Sequence, residues 1–352
     1  MIVLAFFISF ILTFLATYPT IKYAKKGGLV DDSTARWHPA HTHTGIIPRA
    51  GGIPIYIGIL LTALILLPRN QIVTGILIAG FFIIVMGLID DYADVSPYLR
   101  FILNILIAGF VILFGLGIPY VSNPFGDVIR LDSVVWKINF FGEHSFLVFS
   151  NIVAIIWITA VMNFVNWSKG VDGQMPGFVV IASIFLGFLS FRFVGHNISK
   201  EAVILLSFIT AGAFAGFLPH NFYPQKIMPG YGGGALAGFF LAVLSILSFG
   251  KFGTLILLLS IPFIDAIYVI ARRIKNRQSP FRADAGHFHH RLLEIGWGKR
   301  RIAFFYWIMT LLFGIASLFF HGIQKVLGII AVCILLAFFI VITNRIKKMK
   351  NI

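Results

Sequence analysis

Charged residues are scarce in this chain. Asp, Glu, Lys and Arg make up 12% of its 352 residues, where a soluble domain carries about 25%, and so low a share excludes water as the main solvent. There is one cysteine, Cys333, which excludes an intramolecular disulfide and a thiolate metal cluster; within its apolar run it reads as a small core or lipid-facing residue. The apolar stretch 1–21 lacks a basic n-region and is followed by Lys22, Lys25 and Lys26, so it reads as an uncleaved first helix rather than a signal peptide. No internal repeat is evident, which argues against a transporter built from inverted halves.

What is present is apolar: 59% of the residues are hydrophobic, 38 are Phe, and the mean hydropathy is +0.93. Runs near the roughly 18 to 20 residues that span a bilayer recur along the chain. They fall at about 1–21, 52–67, 72–89, 100–118, 147–165, 177–194, 202–218, 235–250, 254–271, 302–320 and 325–343. This predicts an all-α polytopic membrane protein of roughly eleven helices, with residues 1–352 forming one transmembrane domain in the lipid bilayer. The segment 119–146 alternates with period two over 128–132 and 135–139, suggesting a small extracytoplasmic β-hairpin.

The net charge of +15 could suggest nucleic acid, but its placement on loops between spans points to membrane orientation instead. With the N-terminus outside, 21 of the 28 Lys and Arg fall on the cytoplasmic side, as do seven of the ten His. The C-terminus and any chemistry are then cytoplasmic, in a plasma or inner membrane.

Polar residues gather in a few places. Asp90 and Asp91 lie side by side where the third span ends, followed by Asp94; adjacent carboxylates repel, which suits a general base or a metal site, although a solvated helix end has the same composition. After the fifth span, Asn163, Asn166, Lys169, Gly170, Asp172 and Gly173 share a turn. Amide oxygens there could bind Mg²⁺ or hydroxyls and the lysine a phosphate, or the segment could be a capping turn. The basic loop Pro280–Arg291 carries Arg282, His287, His289 and His290, which could grip a diphosphate or be merely solvated; their spacing matches structural zinc poorly. Glycine in Pro48-Arg49-Ala50-Gly51-Gly52 and in Lys226–Gly234 could donate amides to phosphate or let helices pack closely. Asp265, in an apolar run ending at Arg272-Arg273, is either functional or paired with a neighbouring base.

In this order, the segments resemble the polyprenyl-phosphate N-acetylhexosamine-1-phosphate transferase superfamily, glycosyltransferase family 4, over nearly the whole chain. Pro48–Gly52 matches its PRxGG element. Asp90–Asp94 with Ser96-Pro97 and Arg100 matches DDxxDxSPxxK with Arg for Lys, and Asn163–Gly173 resembles NxxNxxDGxDG. The histidine loop resembles the PFxADxxHxHHRLL form of the branch using UDP-N-acetylglucosamine, more than that of the branch transferring phospho-N-acetylmuramoyl-pentapeptide. Two positions depart from the pattern: Lys169 stands for an aspartate, and Tyr231 for the aspartate of GDxGS that binds Mg²⁺.

The resemblance implies attack of a polyprenyl-phosphate oxygen on the β-phosphorus of a UDP-N-acetylhexosamine, giving a polyprenyl-diphospho-sugar and UMP and initiating cell-envelope glycan synthesis. It implies catalytic roles for Asp90, Asp91, Asp172, His287, His289 and His290. Substrate contacts fall to Arg49, Asp94, Arg100, Asn163, Lys169 and Arg282, and Mg²⁺ coordination to Asn166, Asp90, Asp91 and Asp172. Because Lys169 and Tyr231 replace aspartates, dependence on Mg²⁺ is expected to be weakened. The expected partners are polyprenyl phosphate, UDP-N-acetylhexosamine and lipid, with no nucleic acid and with homodimerisation left open. The competing expectations are a degenerate relative that binds lipid phosphate or nucleotide sugar without turnover, and a transporter.

Overall fold

The computed structural model describes residues 1–34, 42–121, 123, 126–139, 143–192, 198–248, 252–281 and 284–350. Its elements run in the order α1 (Ile2–Lys26), β1 (Val30–Asp32), β2 (Ile46–Pro48), α2 (Gly52–Leu66), α3 (Gln71–Ala93), α4 (Pro97–Leu113), β3 (Tyr120–Val121), β4 (Ile129–Arg130), β5 (Val135–Asn139) and β6 (Glu143–Leu147). They continue with α5 (Val148–Trp167), α6 (Gln174–Ser190), α7 (Lys200–Asn221), α8 (Gly230–Leu247), α9 (Phe252–Leu258), α10 (Ser260–Lys275), α11 (Phe288–Glu294), α12 (Lys299–Phe319) and α13 (Ile323–Lys350).

Seven of these helices are long and apolar enough to cross a membrane among the described residues, so the chain is a mostly helical, multi-pass membrane protein. Helices α2, α4 and α6 are apolar but shorter, 15 to 17 residues. The expected span 254–271 is not one helix: α9 and α10 meet at a bend of 86°. Pro262 explains the break. Its ring would clash with the carbonyl four residues back, at Leu258, where α9 ends, yet a proline is tolerated in the first turn of a new helix.

The expected hairpin between 128–132 and 135–139 does not form. Period-two alternation reports a strand but not its partner, and β4 pairs with β3 while β5 pairs with β6, both antiparallel.

Helix α8 is the hub, buried along its entire length between α3 and α5 and against α2 and α6. Its first turns absorb the glycines expected in a loop, and they serve packing. A Cβ on Gly87 of α3 would lie 2.3 Å from the Gly232 Cα, and one on Gly52 of α2 would lie 2.7 Å from the Gly233 nitrogen. Gly51 and Gly52 donate backbone hydrogen bonds to the carbonyls of Met228 and Pro229, and the Met228 N–H returns one to Pro48. The Pro48–Gly52 segment is thereby zipped to the entry of α8, with Arg49 carried beside the end of α3.

Candidate functional site

A cavity of about 330 Å³ opens where α3, α5 and α8 begin or end, with Phe281, Asp284 and His287 on its rim. Arg49, Asp90, Asp94, Arg100, Asn163, Asn166, Lys169, His287, His289 and His290 line it, so four sequence segments converge. Asp91 and Asp172 do not line it, and Arg282 lies outside the described residues.

One wall is the end of α3. Consecutive helical residues point about 100° apart, so the two adjacent carboxylates take separate partners. Asp90 faces Arg100 at 3.2 Å, and its Oδ1 has no hydrogen-bond partner. Asp91 turns away, accepting from Arg49 at 3.2 Å and from the Tyr231 N–H at 3.0 Å, packed so closely on Gly230 that a Cβ there would touch its Oδ2. Asp94 closes α3 in the left-handed region at φ 51°, and Pro97 opens α4 directly after. That turn sets Arg100 in the first turn of α4, opposite Asp90.

The second wall is the end of α5. The Asn163 amide donates to the Thr159 carbonyl of its own helix, whereas the Asn166 Oδ1 is buried without a partner against Gly234. The Lys169 ammonium donates to the Gly230 carbonyl at 2.6 Å. Burial pushes it down to about 8, the charges of Asp91 and Asp90 opposing, so it stays mostly protonated at neutral pH. Asp172 serves the scaffold: its carboxylate accepts from Lys299 at 3.0 Å and from the Gln225 N–H at 3.2 Å. Beside it Gly173 adopts φ 76°, a backbone state that disfavours other residues.

The third wall holds the imidazoles. Asp265 of α10 accepts from His287 Nδ1 at 2.9 Å and from the Phe288 N–H at 2.8 Å, so it is paired with a base, but with His287 rather than the arginines that end its helix. A carboxylate only accepts, so Nδ1 carries a proton and Nε2 is turned away from Asp265. His289 lies over Gly170 so tightly that a Cβ there would fall 1.8 Å from its Nε2. Its ring is parallel to that of His287, 5.8 Å between centroids, and that of His290 is 4.4 Å away. Burial holds His289 well below its ordinary value and His290 down to about 4, with the neighbouring imidazoles adding to the effect; both are neutral at pH 7.

Among the cavity residues not singled out as site residues in the sequence are Arg273 and Asp284. Arg273 donates from Nε to Asp284 at 3.0 Å. Burial would raise the Asp284 carboxyl, but bonds from Arg273 and the Gly286 N–H, with the charges of Arg273 and Arg272, hold it at about 2. The sequence signals were the Arg272-Arg273 pair and the aspartate of the PFxADxxHxHHRLL pattern.

The expected Mg²⁺ ligands do not fit together. Asp90, Asp91 and Asp172 each engage an Arg or Lys, the Tyr231 hydroxyl already accepts from Asn104 at 2.9 Å, and the Lys169 ammonium stands close to the Asp90/Asp91 pair. Among the described residues no three of His, Cys, Asp or Glu gather to hold a metal ion. Mg²⁺ is usually held by one or two carboxylates with water and phosphate completing its shell, and the orphaned oxygens here offer it a single carboxylate oxygen, that of Asp90, and one amide oxygen, that of Asn166.

Comparison with known proteins now places this geometry. Residues 73–249 match the model of glycosyl transferase family 4. The chain is 29% identical to a probable undecaprenyl-phosphate N-acetylglucosaminyl 1-phosphate transferase of Bacillus subtilis, covering 97% of this chain and 91% of that protein. It is 26% identical to a decaprenyl-phosphate N-acetylglucosaminephosphotransferase of Mycolicibacterium smegmatis, over 87% and 80% of the two chains. With a phospho-N-acetylmuramoyl-pentapeptide-transferase of Clostridioides difficile it shares 27% identity, over 83% and 88%.

Proposed function

The chain belongs to glycosyl transferase family 4, and on that premise we propose that it transfers N-acetylglucosamine-1-phosphate from a UDP-sugar to a polyprenyl phosphate, releasing UMP. The observation that carries this reading is the convergence of guanidinium, ammonium and neutral imidazole groups in one cavity where the helices end. A lipid phosphate and a soluble nucleotide can meet only at such a boundary. The histidine loop, in the form that resembles the UDP-N-acetylglucosamine branch, together with the 29% identity over 97% of the chain to a relative named for N-acetylglucosamine transfer, favours that sugar over the muramoyl-pentapeptide.

A phosphate monoester has its second pKa near about 6, so the attacking lipid phosphate is largely ionised at pH 7 and needs little help from a base. Catalysis then rests on orientation and on stabilising charge as UMP leaves. Arg49 and Arg100, held by Asp91 and Asp90, are oriented to bind phosphate oxygens. Asp90 would take the remaining proton of a monoanionic lipid phosphate on Oδ1. His287, its tautomer set by Asp265, would accept a hydrogen bond from a sugar hydroxyl at Nε2. The broken pair α9–α10 and the shorter apolar helices α2, α4 and α6 would complete eleven spans beside the seven long ones. The distribution of Lys and Arg supports a cavity on the cytoplasmic face.

The test is UMP release by the purified protein with polyprenyl phosphate and either UDP-N-acetylglucosamine or the UDP-muramoyl-pentapeptide. Release with the first and little with the second is expected. Preference for the second would overturn the sugar assignment, and nucleotide binding without UMP release would leave a binding protein in place of an enzyme.

A further inference from the structure

The arginines on the cavity wall are already matched to carboxylates: Arg49 to Asp91, Arg100 to Asp90 and Arg273 to Asp284. Lys169 is held differently. Its nitrogen donates to the neutral Gly230 carbonyl and lies 5.8 Å from the centroid of the Tyr231 ring. An ammonium has three donors, so two remain after that bond. The carbonyl fixes the group in place without cancelling its charge. Asp90 and Asp91 attract it from beside, but the closest recorded bonds of both go to the arginines and to a backbone N–H. Tyr231, Gly230 and Lys169 all line the cavity, so the ammonium is available to what enters it.

We propose that Lys169 is a built-in phosphate ligand, and that the cavity neutralises incoming phosphate with this ammonium and the neighbouring guanidinium groups while holding no divalent cation of its own. The inference rests on the reading above that the ligands carry phosphate, and it specifies how they are bound. The ammonium stands beside the Asp90/Asp91 pair, where a divalent ion would have to sit, and two like-charged cations cannot share that volume cheaply. The phenol of Tyr231 offers a hard cation a weak ligand, and its oxygen is engaged by Asn104. The chemistry recognised is a phosphate oxyanion, borne either by the prenyl lipid or by the nucleotide diphosphate.

Two measurements on the full-length protein in detergent decide this, and neither needs turnover. The first is Mn²⁺ binding in the absence of nucleotide, followed by electron paramagnetic resonance; no stoichiometric bound ion is expected. The second is calorimetric binding of UDP and, separately, of a short-chain polyprenyl phosphate, each in EDTA and in Mg²⁺. Binding in EDTA is expected to persist. Lys169→Ala should weaken one of the two ligands about tenfold, the scale of a lost charge-assisted hydrogen bond, and Lys169→Arg should restore much of it. The ligand that weakens identifies which phosphate Lys169 holds.

Stoichiometric Mn²⁺ on the parent protein, loss of both ligands in EDTA, or unchanged affinities in a folded Lys169→Ala protein would each overturn the proposal. If Lys169→Ala does not fold, the parent measurements and Lys169→Arg still decide it. Absence of UMP release alongside retained binding would remove the proposed activity while leaving this inference standing.

Discussion

On the α3–α4 wall of the cavity, Asp90 and Asp91 sit in ion pairs with Arg100 and Arg49, so each of these four charges has an opposite beside it. On the facing α10–α11 wall, His289 and His290 are held neutral by burial, and one carboxylate, Asp265, is spent on orienting a third imidazole. The carboxylates of the first wall are balanced by guanidiniums, while the rings of His289 and His290 on the second carry no charge. A site that must admit anionic phosphate and still release product benefits from both, because paired guanidiniums supply fixed donors while neutral rings add hydrogen-bonding capacity without a permanent grip.

The contrast breaks most severely at Asp90. Asp90→Asn takes from the half-buried Arg100 the carboxylate that orients it towards phosphate, and the loss of such a fixed donor is expected to lower turnover about a hundredfold or more. Asp91→Asn should instead show its main loss as a lower thermal midpoint, since that carboxylate ties Arg49 to the start of α8. UMP release and thermal unfolding of the two variants side by side check the difference. Equal loss of stability in both would mean that Asp90 is scaffold as well.

Asp265→Asn tests the neutral wall. The amide keeps the shape but can offer its NH₂ to His287 Nδ1, which would move the ring proton to Nε2. Turnover should drop about tenfold or more with an altered pH profile, while binding of UDP changes little. A change in stability with an unaltered pH profile would reduce Asp265 to a cap for α11.

The smallest expected effect is a pH slope. His290 has a folded value of about 4 against an ordinary 6.5, so the unfolded state takes up its proton first. Its contribution is undiminished above pH 6.5 and is lost as the pH falls towards 4. His290→Gln should flatten the decline of the thermal midpoint over that window. An unchanged slope would place the titration elsewhere.

The sequence made the site residues conspicuous because polar groups in an apolar chain stand out, and Asp90, Lys169 and the histidines all reach one cavity. What it left open was pairing. Glycines that donate to phosphate and glycines that let helices touch are written identically, and the packing role shows only in the structure, where a Cβ on Gly87 would fall 2.3 Å from the Gly232 Cα. Asp172 looked catalytic for its turn, yet its partners, Lys299 and the Gln225 backbone, come from distant segments that no local pattern connects to it. The alternating strands likewise announced themselves but not their neighbours.

The wholly buried α8 bears on how the protein is made. Its mean hydropathy over the spanning window is 1.7, the lowest of the seven long helices, while α13, whose window is 22% buried, reaches 3.2. Helix α13 must satisfy the hydrocarbon on most of its surface, whereas α8 has only protein around it and can carry glycine and serine where leucine would otherwise stand. A segment of that composition partitions into a bilayer less readily on its own, so its stable insertion during synthesis is coupled to α2, α3 and α5, which precede it from the ribosome and provide the surface it fills.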